Sequence, residues 1–178
     1  MVFTIVGGNT RQFKLQSDNG EVIFSTARKS FLKQAKKLYV GDKVCLDEDG
    51  CIYQVMPREN LLYRPKIANV DYMCVVTSLK RPDFSSYLLD KFLTYLNFQN
   101  IKPYIVFTKS DLLSDEELEK ITKYKDYYES IEIKAIIVSA KNPDSVKPLK
   151  DIIKGNTIAF MGQTGAGKSS IINCIDPS

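Results

Sequence analysis

The run Gly162-Gln163-Thr164-Gly165-Ala166-Gly167-Lys168-Ser169 matches G-x-x-x-x-G-K-[ST] at every position, and it dictates the architecture around it. Its glycines permit backbone conformations that side chains forbid, so successive N–H groups can turn inward on an anion at a helix N-terminus. That geometry needs a strand before the loop and a helix after it. Both are predicted: residues 156–161 form a short apolar run, and residues 169–175 read as a helix start. Lys168 is placed to reach β- and γ-phosphates as a point charge, and Ser169, followed by Ser170, to offer a hydroxyl to Mg²⁺. Only nine residues follow Ser169, so other parts of a nucleotide site within this chain must precede the loop.

Two upstream segments have the character of base-recognition loops. Residues 103–107 form an apolar strand, and Thr108-Lys109-Ser110-Asp111 leaves its C-terminal end, where ligands bind in open α/β sheets. Asp111 can accept hydrogen bonds from N1–H and the exocyclic amine of guanine, a donor pair that adenine lacks. Residues 134–138 form a second apolar strand that delivers the turn Ser139-Ala140-Lys141 to the same sheet edge. The backbone N–H near Ala140 would donate to guanine O6, and the stems of Lys109 and Lys141 would sandwich the base. Alone, either segment reads as a surface turn. Two of them after successive strands, ahead of a phosphate loop, form a set.

Periodicity divides the chain. Residues 1–66 contain short alternating strands (13–16, 21–24, 43–46, 51–55) separated by turn signals at Asp18-Asn19-Gly20 and Asp47-Glu48-Asp49-Gly50. About five strands in this span predict a small barrel of the oligonucleotide-binding type. The connector from Arg28 to Lys37 carries five cations, Arg28, Lys29, Lys33, Lys36 and Lys37, around Phe31. They could neutralise nucleic-acid phosphates with Phe31 stacking, or Phe31, Leu32 and Ala35 could close the barrel beneath solvated lysines. From residue 70 strands alternate with helices: a strand over 70–77, and a helix over 86–99 with Leu88, Leu89, Phe92, Leu93 and Leu96 on one face. A capping box at Ser114 opens a helix running to about Asp126, and a shorter helix covers about 145–154. This pattern predicts a parallel, doubly wound sheet.

The permuted motif order resembles the circularly permuted GTPases. The segment from Arg58 through Asn60, Tyr63 and Lys66 to Asp71 narrows the likeness to the ribosome small subunit-dependent GTPases, the RsgA family, along essentially the whole chain. The resemblance implies a barrel over 1–62 and a circularly permuted GTPase domain, incomplete, over 63–178. It implies a cytoplasmic, monomeric enzyme that binds GTP or GDP with Mg²⁺, hydrolyses GTP to GDP and phosphate, and acts on the small (30S) ribosomal subunit and its rRNA late in maturation. The nucleotide contacts would be Thr108, Lys109, Asp111, Ser139, Ala140, Lys141, residues 162–169 and Ser170. Lys168 and Ser169 would carry the catalytic charge and the Mg²⁺. The chain departs from the pattern at Thr108, where many GTPases carry Asn. A hydroxyl replaces the amide that ties base loop to phosphate loop, and a looser tie is one expectation.

Threonine-containing and Asp-x-x-Gly switch motifs and the family's zinc domain are expected beyond Ser178, so the chain reads as part of a longer protein that, by itself, binds guanine nucleotide weakly and hydrolyses poorly. Zinc has no candidate ligands here: there is no His, and Cys45, Cys51, Cys74 and Cys174 lack paired spacing. Reduced, mostly buried cysteines are expected, with a Cys45–Cys51 bridge as the alternative. No apolar run approaches the ~20 residues of a membrane helix. Residues 1–66 hold 11 Lys and Arg against 7 Asp and Glu, and the remainder 14 against 14, so the net charge of +4 belongs to the first part. Two other classes stay open at this point: an ATP-using P-loop enzyme such as a kinase, and an RNA-binding barrel with a vestigial nucleotide module.

Overall fold

A computed structural model describes residues 2–9, 11–33, 37–63 and 65–176. The chain divides into two units, residues 1–70 and 71–178.

In the first unit β1 (Val2–Gly8), β2 (Phe13–Gln16), β3 (Val22–Ser25), β4 (Lys43–Leu46) and β5 (Ile52–Val55) form an antiparallel sheet in the order β3-β2-β1-β4-β5. Alternation sends Phe3, Ile5, Leu15, Val44 and Ile52 into one core. Among the described residues the strand pairing does not close into a barrel: β3 and β5 are the sheet's edges, and the parallel bridge of Ala27 with Ile52 spans them. The helix α1 (Lys29–Lys33) follows, and Phe31 is buried, so it packs rather than stacks. Arg28 is held by Asp47 and Asp49, while Lys29 and Lys37 are exposed. Ala35 and Lys36 lie outside the described residues, as do the side chains of Leu32 and Lys33 and, in the joining segment, Arg64.

The division falls at Val70, eight residues later than residue 62. A hairpin of β6 (Leu61–Tyr63) and β7 (Lys66–Ala68) stays with the first unit. Asn69 Nδ2 donates to Gly41 O at 2.8 Å, Asn60 exchanges bonds with Val70, and Val40 bridges Ile67. Arg58 adds a two-point contact to the fully buried Asp42 carboxylate, at 2.6 and 2.9 Å.

The second unit is a parallel sheet of β8 (Tyr72–Ser78), β9 (Lys102–Thr108), β10 (Lys134–Ile137) and β11 (Ile158–Gly162), ordered β10-β9-β8-β11. Helices α2 (Ser86–Phe98), α3 (Asp115–Ser130), α4 (Lys147–Ile153) and α5 (Lys168–Ile175) follow the successive strands. One sheet face, with Cys74, Val76, Tyr104 and Val106, packs on Leu149 of α4 and Ile171 of α5. The alternate residues Met73, Val75, Ile105 and Phe107 are buried too, and Phe84 stacks edge-on against both Phe107 and Tyr124 of α3. Both faces are covered, which explains strands that read as continuous apolar runs.

Two helices differ from the sequence reading. The capping box at Ser114 is present, but α3 continues past Asp126 to Ser130, because Tyr128 is buried and its hydroxyl donates to Asp90 of α2 at 2.8 Å. On α2 only Leu89, Leu93 and Leu96 are fully buried; Leu88 and Phe92 flank them half-buried. All four cysteines are free. Cys45 lies opposite Gln54 in the sheet rather than opposite Cys51, and burial pushes the Cys74 thiol up to about 12. Among the described residues no helix is long and apolar enough to cross a membrane.

Candidate nucleotide-binding site

The ends of β9, β10 and β11 carry every loop singled out above. Gly162 pairs with Val76 at the end of the β11–β8 ladder, with φ near 145°. A Cβ there would lie 2.0 Å from Val76 O, so only glycine lets the chain leave the sheet at this point. The loop then turns into α5 through Gly167, which takes a left-handed conformation as the residue before the helix. The first N–H groups of α5 have no intrahelical partner, and with the loop before them they would make an anion cradle. Ala166 is fully buried beneath the turn, while Thr164, Gly165, Ser169 and Ser170 are exposed. Gln163 and Lys168 are half-buried. Lys168 Nζ donates to Gly162 O at 2.9 Å and Gln163 O at 2.7 Å, which folds its ammonium over the loop.

Thr108 and Lys109 hold the first base segment against this cradle. Thr108 is 2% exposed, and its hydroxyl lies 2.6 Å from Ala166 O and 3.3 Å from Thr77 O. The tie expected of an Asn is therefore made by Thr, and it is not loose. Lys109 takes a left-handed backbone conformation, and its ammonium donates to Gly165 O at 2.7 Å and to Arg81 O. One lysine thus connects the base segment, the phosphate loop and the loop after β8.

The second base segment is zipped to the first. Ser110 N–H donates to Val138 O, and Ser139 Oγ donates to Asp111 Oδ1 at 2.7 Å. Lys141 Nζ lies 2.8 Å from Asp111 Oδ2, and Lys141 N–H donates to Ser139 Oγ. Lys141 and Ser139 hold the Asp111 carboxyl below its usual range. Ser139 N–H is taken by Ser145 Oγ at 3.1 Å, whereas Ala140 is exposed beside it. Arg81 and Ser145 were not readable as site residues, nor was the pairing of the Ala166 carbonyl with Thr108. They act through backbone atoms or through a hydroxyl whose partner is set only by the fold.

The set fits a guanine nucleotide: a glycine-lined anion cradle, a fixed carboxylate for the N1–H and amino edge, and an exposed backbone segment for O6. Ser169, exposed at the start of α5, would supply one hydroxyl to a Mg²⁺ ion, which ordinarily takes one or two protein ligands and completes its shell with phosphates and water. Among the described residues no group of three or more His, Cys, Asp or Glu could hold a metal by itself.

The family model described as RsgA GTPase matches residues 55–178. The chain belongs to the RsgA GTPase family. Relatives named small ribosomal subunit biogenesis GTPase RsgA 2, from Oceanobacillus iheyensis, and small ribosomal subunit biogenesis GTPase RsgA, from Leuconostoc citreum, are each 39% identical over 170 residues. The alignments cover 93% of this chain and 58% and 56% of those proteins, so the chain spans just over half their length. Two solved structures have the same fold at 32% identity over 99% of the chain: YjeQ from Thermotoga maritima, with a TM-score of 0.89, and YloQ, a circularly permuted GTPase, with 0.88. The chain covers 65% and 64% of them. Placement among RsgA GTPases accounts for the permuted order of the three motifs, which neither a kinase nor a vestigial module explains.

Proposed function

We propose that this chain is the guanine-nucleotide-binding part of an RsgA-type enzyme that hydrolyses GTP to GDP and phosphate during late maturation of the small ribosomal subunit. The observation that carries the reading is the Asp111 carboxylate, aimed by Ser139 and joined to the phosphate cradle through Thr108 and Lys109. Phosphoryl transfer depends on positioning and charge stabilisation more than on covalent chemistry. Residues 162–170 bind the phosphates, with Lys168 stabilising charge on the transferring group. Thr108, Lys109, Asp111, Ser139, Ala140 and Lys141 select and hold guanine. Ser169 would hold Mg²⁺, which when bound neutralises charge on β- and γ-oxygens. None of these residues takes a proton from water, so turnover by them alone is low; weak binding of guanine nucleotide by this chain is a separate part of the proposal.

The same proposal reads the first unit as an oligonucleotide-binding-type barrel that meets the rRNA of the small subunit, in a monomeric, cytoplasmic protein. Support comes from the helix between the third and fourth strands and from the bonds flanking the Ala27–Ile52 bridge: Ile52 N–H to Thr26 O at 2.8 Å and Arg28 N–H to Ile52 O at 3.0 Å. Exposed Lys29 and Lys37 offer cations for phosphate, and the names of the relatives point to the subunit. Zinc belongs, in this reading, to a part of the protein outside these residues. Phosphate release from GTP, measured with and without small subunits, tests the proposal. Low turnover by this chain and subunit-stimulated turnover by a form as long as the relatives are expected; equal rates with and without subunits in that longer form would contradict it.

A further inference from the structure

Both oxygens of Asp111 are engaged by one neighbouring loop, and the two contacts differ in kind. Ser139 is buried and meets Oδ1 at 2.7 Å, so its hydrogen bond fixes the carboxylate plane and leaves acceptor capacity for a ligand. Lys141 is different: its side chain is 76% exposed, and its ammonium stands 2.8 Å from Oδ2. That is the distance of a charge-assisted N–H···O bond, the kind guanine's amino edge would itself make to this carboxylate. A flexible, hydrated ammonium on a long stem can leave, whereas the short Ser139 hydroxyl cannot move far.

We propose that the Lys141 ammonium is a stand-in donor on Asp111, occupying the oxygen that guanine's edge requires, and that guanine nucleotide enters only in the fraction of molecules where this ion pair is open. Lys141 is then a specificity-determining residue with two separable parts. Its charged end competes with the base for Asp111, and its apolar stem is left to cover the base once the head has swung away. The pairing also protects selectivity, because a ligand that cannot replace the ammonium with its own donors, adenine for one, gains nothing from opening the pair. The inference rests on the guanine reading of the site.

The size of the effect follows from the exposure of the pair. Exposed ion pairs hold closed with modest free energy, which leaves roughly one molecule in two to one in six open, so removing the ammonium should raise association about two- to sixfold. Lys141→Met keeps an apolar stem and discards the charge. Discarding a cation also weakens long-range attraction of the anionic nucleotide, which lowers association. A matched background separates the two. In Asp111→Asn the ion pair is absent, and the amide can donate to the O2 carbonyl that xanthine carries in place of guanine's amine, while removing the Lys141 cation lowers long-range attraction by the same amount in both backgrounds.

The experiment is stopped-flow association of fluorescent GDP with this chain and its Lys141→Met variant. In parallel, fluorescent xanthosine diphosphate is mixed with Asp111→Asn and with Asp111→Asn/Lys141→Met. The ratio of the two Lys141→Met effects is expected to be about two- to sixfold in favour of the Asp111 background. It should shrink toward the lower end of that range in 1 M salt, where the pair is screened. A ratio of one at low salt overturns the stand-in role. Failure of GDP to bind at all, or equal binding of ADP, would overturn the underlying guanine reading instead.

Discussion

Thr108→Val removes one hydroxyl, keeps the shape of the side chain, and isolates the tie between base segment and phosphate loop. The hydroxyl it removes is the donor to Ala166 O at 2.6 Å, in a place where Thr108 is 2% exposed and Ala166 fully buried. A buried carbonyl left without its partner costs about 1–3 kcal/mol. For a unit of roughly a hundred residues that lowers the melting midpoint by about 5–15 °C. Urea unfolding followed at 222 nm reports the second unit, because α2 and α3 supply most of the helix. The midpoint should fall with little change in slope. Thr108→Ser keeps the donor and loses only a methyl group, worth about 1 kcal/mol. Phosphate-loop order should follow stability, so the Val variant should also weaken GDP binding more than the Ser variant does. A Val variant within about 0.5 kcal/mol of the parent, or one more stable than Ser, would refute the claim that this hydroxyl holds the two loops together.

Gly162→Ala places a methyl group 2.0 Å from Val76 O at φ near 145°, so we expect loss of nucleotide binding and a stability cost above the ~1–3 kcal/mol of a strained backbone, measured by calorimetry and GDP titration. Arg58→Met leaves the fully buried Asp42 carboxylate with the Tyr39 N–H but without a cation. Because Arg58 is itself partly exposed, the expected cost is about 2–3 kcal/mol rather than the full buried-pair penalty, read as an earlier loss of the β-sheet signal in urea. Lys80 and the Ser114 N–H hold the Glu117 carboxyl below its usual range, and Lys141 and Ser139 do the same for Asp111. Depressed carboxylates contribute fully above their ordinary pKa, near 4, and lose that contribution as pH falls through the lowered value. Unfolding free energy should therefore stay flat from pH 8 to about 5 and decline only in more acid solution. A fall in the urea midpoint already between pH 7 and 5 would contradict this.

What could be read from residues alone was whatever the chain encodes locally. The phosphate loop, both base segments and the capping box at Ser114 are each contained within a few residues, and their strands are apolar runs long enough to mark. What escaped depends on distant partners. The last turn of α3 is stabilised by Tyr128 reaching Asp90, 38 residues away. The three-residue strands β6 and β7 carry little pattern of their own and are anchored through Asn69 to Gly41 and through Ile67 to Val40. The basic connector looked uniformly cationic, yet Arg28 is committed to Asp47 and Asp49 across the sheet. Thr108 looked like a weakened motif because only the fold reveals that its hydroxyl faces the Ala166 carbonyl.

The central claim is that residues 108–111, 139–141 and 162–170 form one guanine-nucleotide site, and calorimetric titration of GDP and ADP in Mg²⁺ against the parent and Asp111→Asn chains tests it most directly. The account predicts weak but measurable binding of GDP, no comparable binding of ADP, and loss of GDP binding in the Asn variant. Equal affinity for GDP and ADP, or GDP binding unaffected by Asp111→Asn, would contradict it.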